Sequence, residues 1–267
     1  MHLELVELLR CPVPHAPGVL VASADVIANR YVSEGLLGCP GCYAEYVIRG
    51  GVTRFVSGVS LSDRRESPAN AANSEQAVND ANGAQAANAA NSEQAANAAN
   101  GARAANDVND ERPNNYSLAA MRLAAQLGLS TGRSVFALVG YDVMTMVAMR
   151  EIVAARVLLL NPSQFDAAAF ASQQLQSVPL VAPVGVISCG AVLPLVPAKF
   201  DGLAVHAAHA LPGLLEQAAT ALRIGGRLVA PVQATIPVGM RELVRDEHVW
   251  VAERESVASA PISLRRR

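Results

Sequence analysis

From residue 67 to residue 115 the chain carries no aromatic residue, no leucine and no isoleucine. A stretch of that composition cannot bury enough apolar surface to offset the entropy of ordering its backbone, so it belongs to no core. It divides the 267 residues into two foldable pieces. The expected organisation is a small domain over residues 1–58, a low-complexity linker over 59–115 and an α/β domain over 116–267. Within the linker, residues 71–88 read AANSEQAVNDANGAQAAN and residues 89–106 read AANSEQAANAANGARAAN, a tandem repeat with a period of 18 residues. Gly83 and Gly101 recur at one place in the two copies, and neither copy has an apolar stripe with which to dock a helix or stack a solenoid. A duplicated linker is the simplest account.

Residues 1–58 are too few to hold a fold by burial alone, and chains of this size commonly use a metal or disulfides. Cys11, His15, Cys39 and Cys42 supply the first option, as Cys-x3-His followed by Cys-x2-Cys. Two ligands on each of two tight turns can close a tetrahedron around Zn²⁺ and leave no open position, which is a structural site. Pro12, Pro14 and Pro40 suit the turns, with Gly38 and Gly41 beside the second pair. A redox role for Cys39 and Cys42 would need a thioredoxin-type βαβ context, which is missing. Cys189, alone in an apolar run, reads as a buried small side chain.

Leu8-Leu9-Arg10-Cys11-Pro12, then Gly38-Cys39-Pro40-Gly41-Cys42, then Tyr46-Val47-Ile48-Arg49-Gly50-Gly51-Val52 and Phe55, resemble the zinc-ribbon activator family. That family includes the small shared subunit of several tRNA, ribosomal RNA and release-factor methyltransferases, and short bacterial relatives. The resemblance covers about the first 56 residues and departs from the family where His15 stands in place of a cysteine. It implies a helix and a small antiparallel sheet that pairs with, and stabilises, a methyltransferase domain. The implied partner is a separate methyltransferase or the chain's own C-terminal domain.

From Ser134 onward, short strand-like apolar runs alternate with longer amphipathic stretches, the pattern of a doubly wound α/β sheet. Strands are expected at 134–139, 156–160, within 179–187, at 200–205, at 227–232, and around 248–252 and 262–264. Helices are expected at 142–155, 164–174 and 211–223, the last ended by Gly225-Gly226. Phe200-Asp201-Gly202-Leu203 and Leu222-Arg223-Ile224-Gly225-Gly226-Arg227-Leu228-Val229 resemble segments of class I S-adenosylmethionine-dependent methyltransferases. The resemblance spans residues 116–267 and implies a Rossmann-like sheet.

The cofactor motif itself is degraded. The family ends its first strand in an acid and a glycine-rich loop, because only glycine lets backbone approach the cofactor closely. Here Val135-Phe136-Ala137-Leu138-Val139-Gly140-Tyr141-Asp142-Val143 keeps one glycine and no acid at Ala137. Tyr141 and Val143 are expected to stand where the cofactor would lie. The second strand ends in Asn161, where the family carries an acid for the ribose hydroxyls. Asn can still accept a hydrogen bond, more weakly than a carboxylate. The remaining cofactor-binding candidates are Gly140, Asp142 and Asn161, and two losses together favour a pseudoenzyme with a binding or regulatory role that does not hold S-adenosylmethionine normally. The alternative is an active methyltransferase with a divergent loop. A third reading makes the second domain a mere support for the ribbon. His206 and His209 could act as a pair of general bases or hold a metal, but no third ligand or carboxylate lies near them in sequence, so polar residues at a loop-to-helix junction are expected. Trp250 reads as packing.

A net charge of −2 and a single lysine, Lys199, give no nucleic-acid signature. Residues 1–10 alternate polar and apolar side chains with no apolar core segment, so no secretory signal, reduced cysteines and a cytoplasmic location are expected. Residues 177–198 are uncharged and long enough to span a bilayer, but prolines 179, 183, 194 and 197 argue against one helix and for buried strands.

Overall fold

The computed structural model describes residues 1–15, 18–55, 115–129, 134–163 and 182–256. The described residues belong to one compact unit drawn from Met1–Ser57 and Asn114–Arg267. The expected helix at 164–174, the strand at 262–264 and the repeat lie outside them.

A six-residue 3₁₀ helix (Leu3–Leu8) precedes β1 (Val21–Ala28), β2 (Tyr31–Gly38), β3 (Glu45–Arg49) and β4 (Val52–Phe55), which form an antiparallel meander. Asn29 and Arg30 both take positive φ, 49° and 64°, in the two-residue turn joining β1 to β2. Gly51, at φ 75°, turns the chain into β4. A Cβ there would meet the Tyr31 hydroxyl, so glycine is demanded twice over.

The second half supplies α1 (Asn115–Leu127), β5 (Val135–Val139), α2 (Val143–Val153), β6 (Arg156–Leu160), β7 (Val184–Cys189), β8 (Phe200–Val205), α3 (Pro212–Ala221), β9 (Leu222–Pro231), β10 (Met240–Arg245) and β11 (Val249–Arg254). The eleven strands of the described residues lie in one sheet, ordered β1-β2-β3-β4-β7-β6-β5-β8-β9-β11-β10. β7, β6, β5, β8 and β9 run parallel, while β11 is antiparallel to β9 and β10 to β11. Alternation along the parallel strands sends side chains to two cores. Phe136, Leu138, Val157 and Leu159 pack with α1 and α2, whereas Ala137, Val139, Leu158 and Leu160 pack with α3 and the 3₁₀ helix.

The two segments separated by the compositional break meet within this sheet. β4 pairs in parallel with β7, with Val52 opposite Val186, Thr53 opposite Ile187, Arg54 opposite Ser188 and Phe55 opposite Cys189. Below that seam, Arg10 N–H donates to Pro194 O at 3.0 Å and Val196 N–H to Leu8 O at 2.9 Å. One apolar core runs unbroken from Leu5, Leu37 and Phe55 to Val135 and Leu215.

Two expected boundaries differ. The helix at 211–223 ends earlier, at Ala221, and Gly225-Gly226 lies inside β9. The glycines serve a bulge there: Leu222 pairs with Phe200 but Arg227 with Gly202, and a Cβ on Gly226 would press against the carbonyls of Arg223 and Phe200 at 2.9 Å. The hairpin partner of β11 is β10, an almost wholly exposed segment in which Leu243 and Val244 are adjacent and do not alternate with polar residues. Trp250 is fully buried and donates Nε1–H to Ala234 O at 2.7 Å. Among the described residues no helix is long and apolar enough to cross a membrane, and β7 is a central strand inside the apolar run.

Candidate metal centre and the turn after the first parallel strand

Cys11 follows the buried pair Leu8 and Leu9 and is held in place by the bridge between Arg10 and Val19. Cys39 immediately follows β2, and the chain then turns tightly: Tyr43 N–H donates to Cys39 O at 2.8 Å and Cys39 N–H to Ala44 O at 2.9 Å. Tyr43 takes φ 59° to close the turn. A Cβ on Gly41 would come within 3.3 Å of the His15 ring, so Gly41 leaves room for the imidazole beside Cys39.

The ligand atoms of Cys11, His15, Cys39 and Cys42 all lie within 4.8 Å of one another. Cys11 Sγ and Cys42 Sγ are 3.6 Å apart, and Cys39 Sγ and His15 Nε2 are 3.2 Å apart. A tetrahedral zinc with ordinary bond lengths has edges of ~3.5–3.8 Å; the separations here, from 3.2 Å to at most 4.8 Å, straddle that range, so three sulfurs and one nitrogen could close on one ion. The three cysteines are free thiols. Burial acts to raise the Cys11 pKa, yet hydrogen bonds from Tyr46, the Val13 amide, Cys42 and Cys39 outweigh it and hold the thiol below its ordinary value. Among the described residues, this cluster could hold a metal ion.

The expected cofactor residues converge on one sheet edge, where β6, β5 and β8 end. β5 lies between β6 and β8, at the point where strand order reverses and open α/β sheets bind their ligands. Gly140, at φ 77°, donates N–H to Leu160 O at 2.8 Å. The space above it is filled: a Cβ on Gly140 would lie 2.2 Å from His209 Cδ2 and 3.3 Å from His206 Cβ. Asp142 caps α2, with Oδ1 accepting from Thr145 N at 2.7 Å and Oδ2 from the Thr145 hydroxyl at 3.0 Å. Asn161 Oδ1 accepts from Cys189 N at 2.8 Å, tying the end of β6 to the end of β7. Polar atoms of both residues are thus engaged within the fold.

Tyr141, expected over the cofactor position, packs against the core on the α1 and α2 side and meets the His206 ring edge-on at 5.7 Å. Burial pushes its pKa up to about 12. Val143 packs against the same core. His206 caps the short 3₁₀ turn Ala207–His209, its Nδ1 accepting from Ala208 N at 3.4 Å, which is the junction role expected of it. Burial raises the Cys189 pKa to about 11, consistent with a packed thiol. A groove of about 770 Å³ lies away from both sites, with the ion pairs Glu4–Arg30 and Glu7–Arg156 among its lining residues. Two features escape sequence reasoning here: the His209 ring over Gly140, and a contact from Tyr46 Oη to Cys11 Sγ at 2.9 Å.

Neither a scan of protein-family models nor a search of curated proteins finds a match. Among solved structures, the chain is similar to geranyl diphosphate C-methyltransferase from Streptomyces coelicolor A3(2), at 18% identity and a TM-score of 0.37 over 43% of this chain and 42% of that one. It is also similar to a Methanococcus maripaludis protein described as an S-adenosyl-L-methionine-dependent methyltransferase, at 9% identity and a TM-score of 0.41 over 55% of this chain and 87% of that one. The antibiotic-resistance methyltransferase Kmr gives 12% identity and a TM-score of 0.34, over 51% of this chain and 93% of that one. The matched region spans less than half the length of the geranyl diphosphate enzyme. At such scores these likenesses assign neither substrate nor activity.

Proposed function

We propose that the chain is a zinc-binding protein with a methyltransferase-like, Rossmann-like half that no longer holds S-adenosylmethionine in the ordinary way, and that it acts as a binding or regulatory protein. The order of the parallel strands, third-second-first-fourth-fifth in the second half, supports the Rossmann-like part. The observation that carries the rest is the turn after β5. His209 covers Gly140, both Asp142 oxygens face Thr145, and Asn161 Oδ1 is held by the Cys189 amide. These residues do not fit a cofactor that needs an open glycine turn and an acid for its ribose.

Cys11, His15, Cys39 and Cys42 would hold the zinc, which supplies structural closure of two turns and no open coordination position. The partner of the ribbon is then its own C-terminal half. β4 is paired on both edges, to β3 and to β7, so that strand has no free edge for a second methyltransferase.

Calorimetry of the zinc-loaded full chain with S-adenosylmethionine tests this. The expected result is no saturable heat at micromolar cofactor. Micromolar binding that is lost in Gly140→Trp or Asn161→Ala would instead establish an active site with a divergent loop.

A further inference from the structure

We infer that Tyr46 is a positioning residue of the metal centre: its hydroxyl donates to the Cys11 sulfur, raising metal affinity and linking the centre to the seam between β4 and β7. The inference rests on the metal-centre reading above and deepens it. Tyr46 is the second residue of β3, and the exposed-buried alternation of that strand turns it and Ile48 inward. It is 3% exposed, with Oη 2.9 Å from Cys11 Sγ. A metal-bound cysteine is a thiolate with no proton to give, whereas a phenol has one. The direction of the hydrogen bond is therefore fixed once the metal binds. Such a bond orients the sulfur and spreads its charge, as outer-shell partners of metal ligands do.

The same ring continues into the sheet. Tyr46 and Phe55 pack with centroids 4.5 Å apart and planes tilted by 36°, and Phe55 is the β4 residue opposite Cys189 of β7. Cys11, Tyr46, Phe55 and the seam thus form one contiguous series of contacts. A phenylalanine at position 46 would preserve the packing and delete only the donor, which separates positioning from space-filling.

The test compares the full-length wild type with Tyr46→Phe by metal competition against a chromophoric chelator, and by the thiolate-to-metal charge-transfer band of the cobalt-substituted protein. Tyr46→Phe is expected to bind zinc ~10-fold or more weakly, within the range seen for outer-shell partners. Its cobalt band is expected at lower energy, because a sulfur lone pair without a hydrogen bond is a better donor. Phe55→Leu, which disturbs the ring packing and spares the hydroxyl, is expected to lower thermal stability without moving the band. A measurement on the unmutated protein covers any failure of Tyr46→Phe to fold. With NMR-active cadmium in the site, the Tyr46 hydroxyl proton is expected to exchange slowly and to couple to the metal through the Cys11 sulfur. Equal affinities with an unshifted band, or a hydroxyl proton with no coupling to cadmium, would overturn the inference. A wild type that takes up no metal would overturn the metal centre itself, and this inference with it.

Discussion

Phe55 is the residue at which the joining of the two halves is most open to experiment. It is 4% exposed, packs on Tyr46 and ends the parallel seam opposite Cys189. Replacing it by alanine removes a buried ring and leaves a cavity, which costs about 3–5 kcal/mol. The chain's single tryptophan, Trp250, lies in β11, six strand positions from β4. At ~4.8 Å per strand that is roughly 29 Å, too far for its fluorescence to sense the missing ring directly. If the shared sheet unfolds as one cooperative unit, the whole loss nevertheless appears in the Trp250 transition. With an m-value of about 3 kcal/mol per molar urea, the Trp250 midpoint in Phe55→Ala should fall by ~1–1.7 M. The assay is equilibrium urea unfolding of the zinc-loaded chain, followed by Trp250 emission and far-ultraviolet circular dichroism together. A Trp250 midpoint equal to wild type, with an earlier and separate loss of β signal, would show that the β1–β4 meander unfolds independently and would refute the cooperative seam.

Metal removal should act through the same route. One zinc per chain is expected by metal analysis, lost in Cys39→Ser, and at free metal 100-fold above Kd its withdrawal by a chelator should lower the Trp250-monitored stability by about 2.7 kcal/mol. Tyr141 gives an alkaline signature. Burial raises its pKa from 10.0 to about 12, so the fold favours the neutral phenol. That stability is fully present below pH 10 and is lost as pH rises from 10 through 12, about 2–3 kcal/mol in all. Tyr141→Phe should flatten this decline, read by urea unfolding across that pH range. Gly140→Ala should destabilise the fold by about 1–3 kcal/mol, since φ 77° and the His209 ring both oppose a Cβ. A double-mutant cycle with His209→Ala should show a coupling of at least ~0.5 kcal/mol, the share due to the ring.

Much of the framework is legible in the sequence because the relevant signals are local. Val135–Val139, Arg156–Leu160 and Phe200–Val205 are near-continuous apolar runs, and a strand covered on both faces has to be one. The four candidate metal ligands stand out for the same reason, since zinc accepts few residue types and two tight turns fix their spacing. The misplaced end of α3 has a local cause too. A Gly-Gly pair after a helical pattern reads as a C-terminal cap, but in the fold these glycines allow β9 to bulge against β8. The missed features are non-local. His209 reaches Gly140 only because β8 settles beside β5, and the hydroxyl of Tyr46 finds Cys11 across a strand separated from it by 35 residues.

The pairing of β4 with β7 is the non-local feature with the largest functional consequence. An activator ribbon whose outer strand met its methyltransferase in trans would depend on the concentration of that partner. Here the two pairing strands are on one chain, and a covalent connection able to span its sites gives an effective concentration in the millimolar range. A separate methyltransferase present at ~1 µM would have to bind the β4 edge about a thousandfold more tightly than β7 does, roughly 4 kcal/mol, to displace it. Four paired positions and a continuous apolar core set β7 against such a competitor. Any regulatory contact with another enzyme is therefore expected on surfaces of the assembled sheet and not on the edge of β4 that β7 covers.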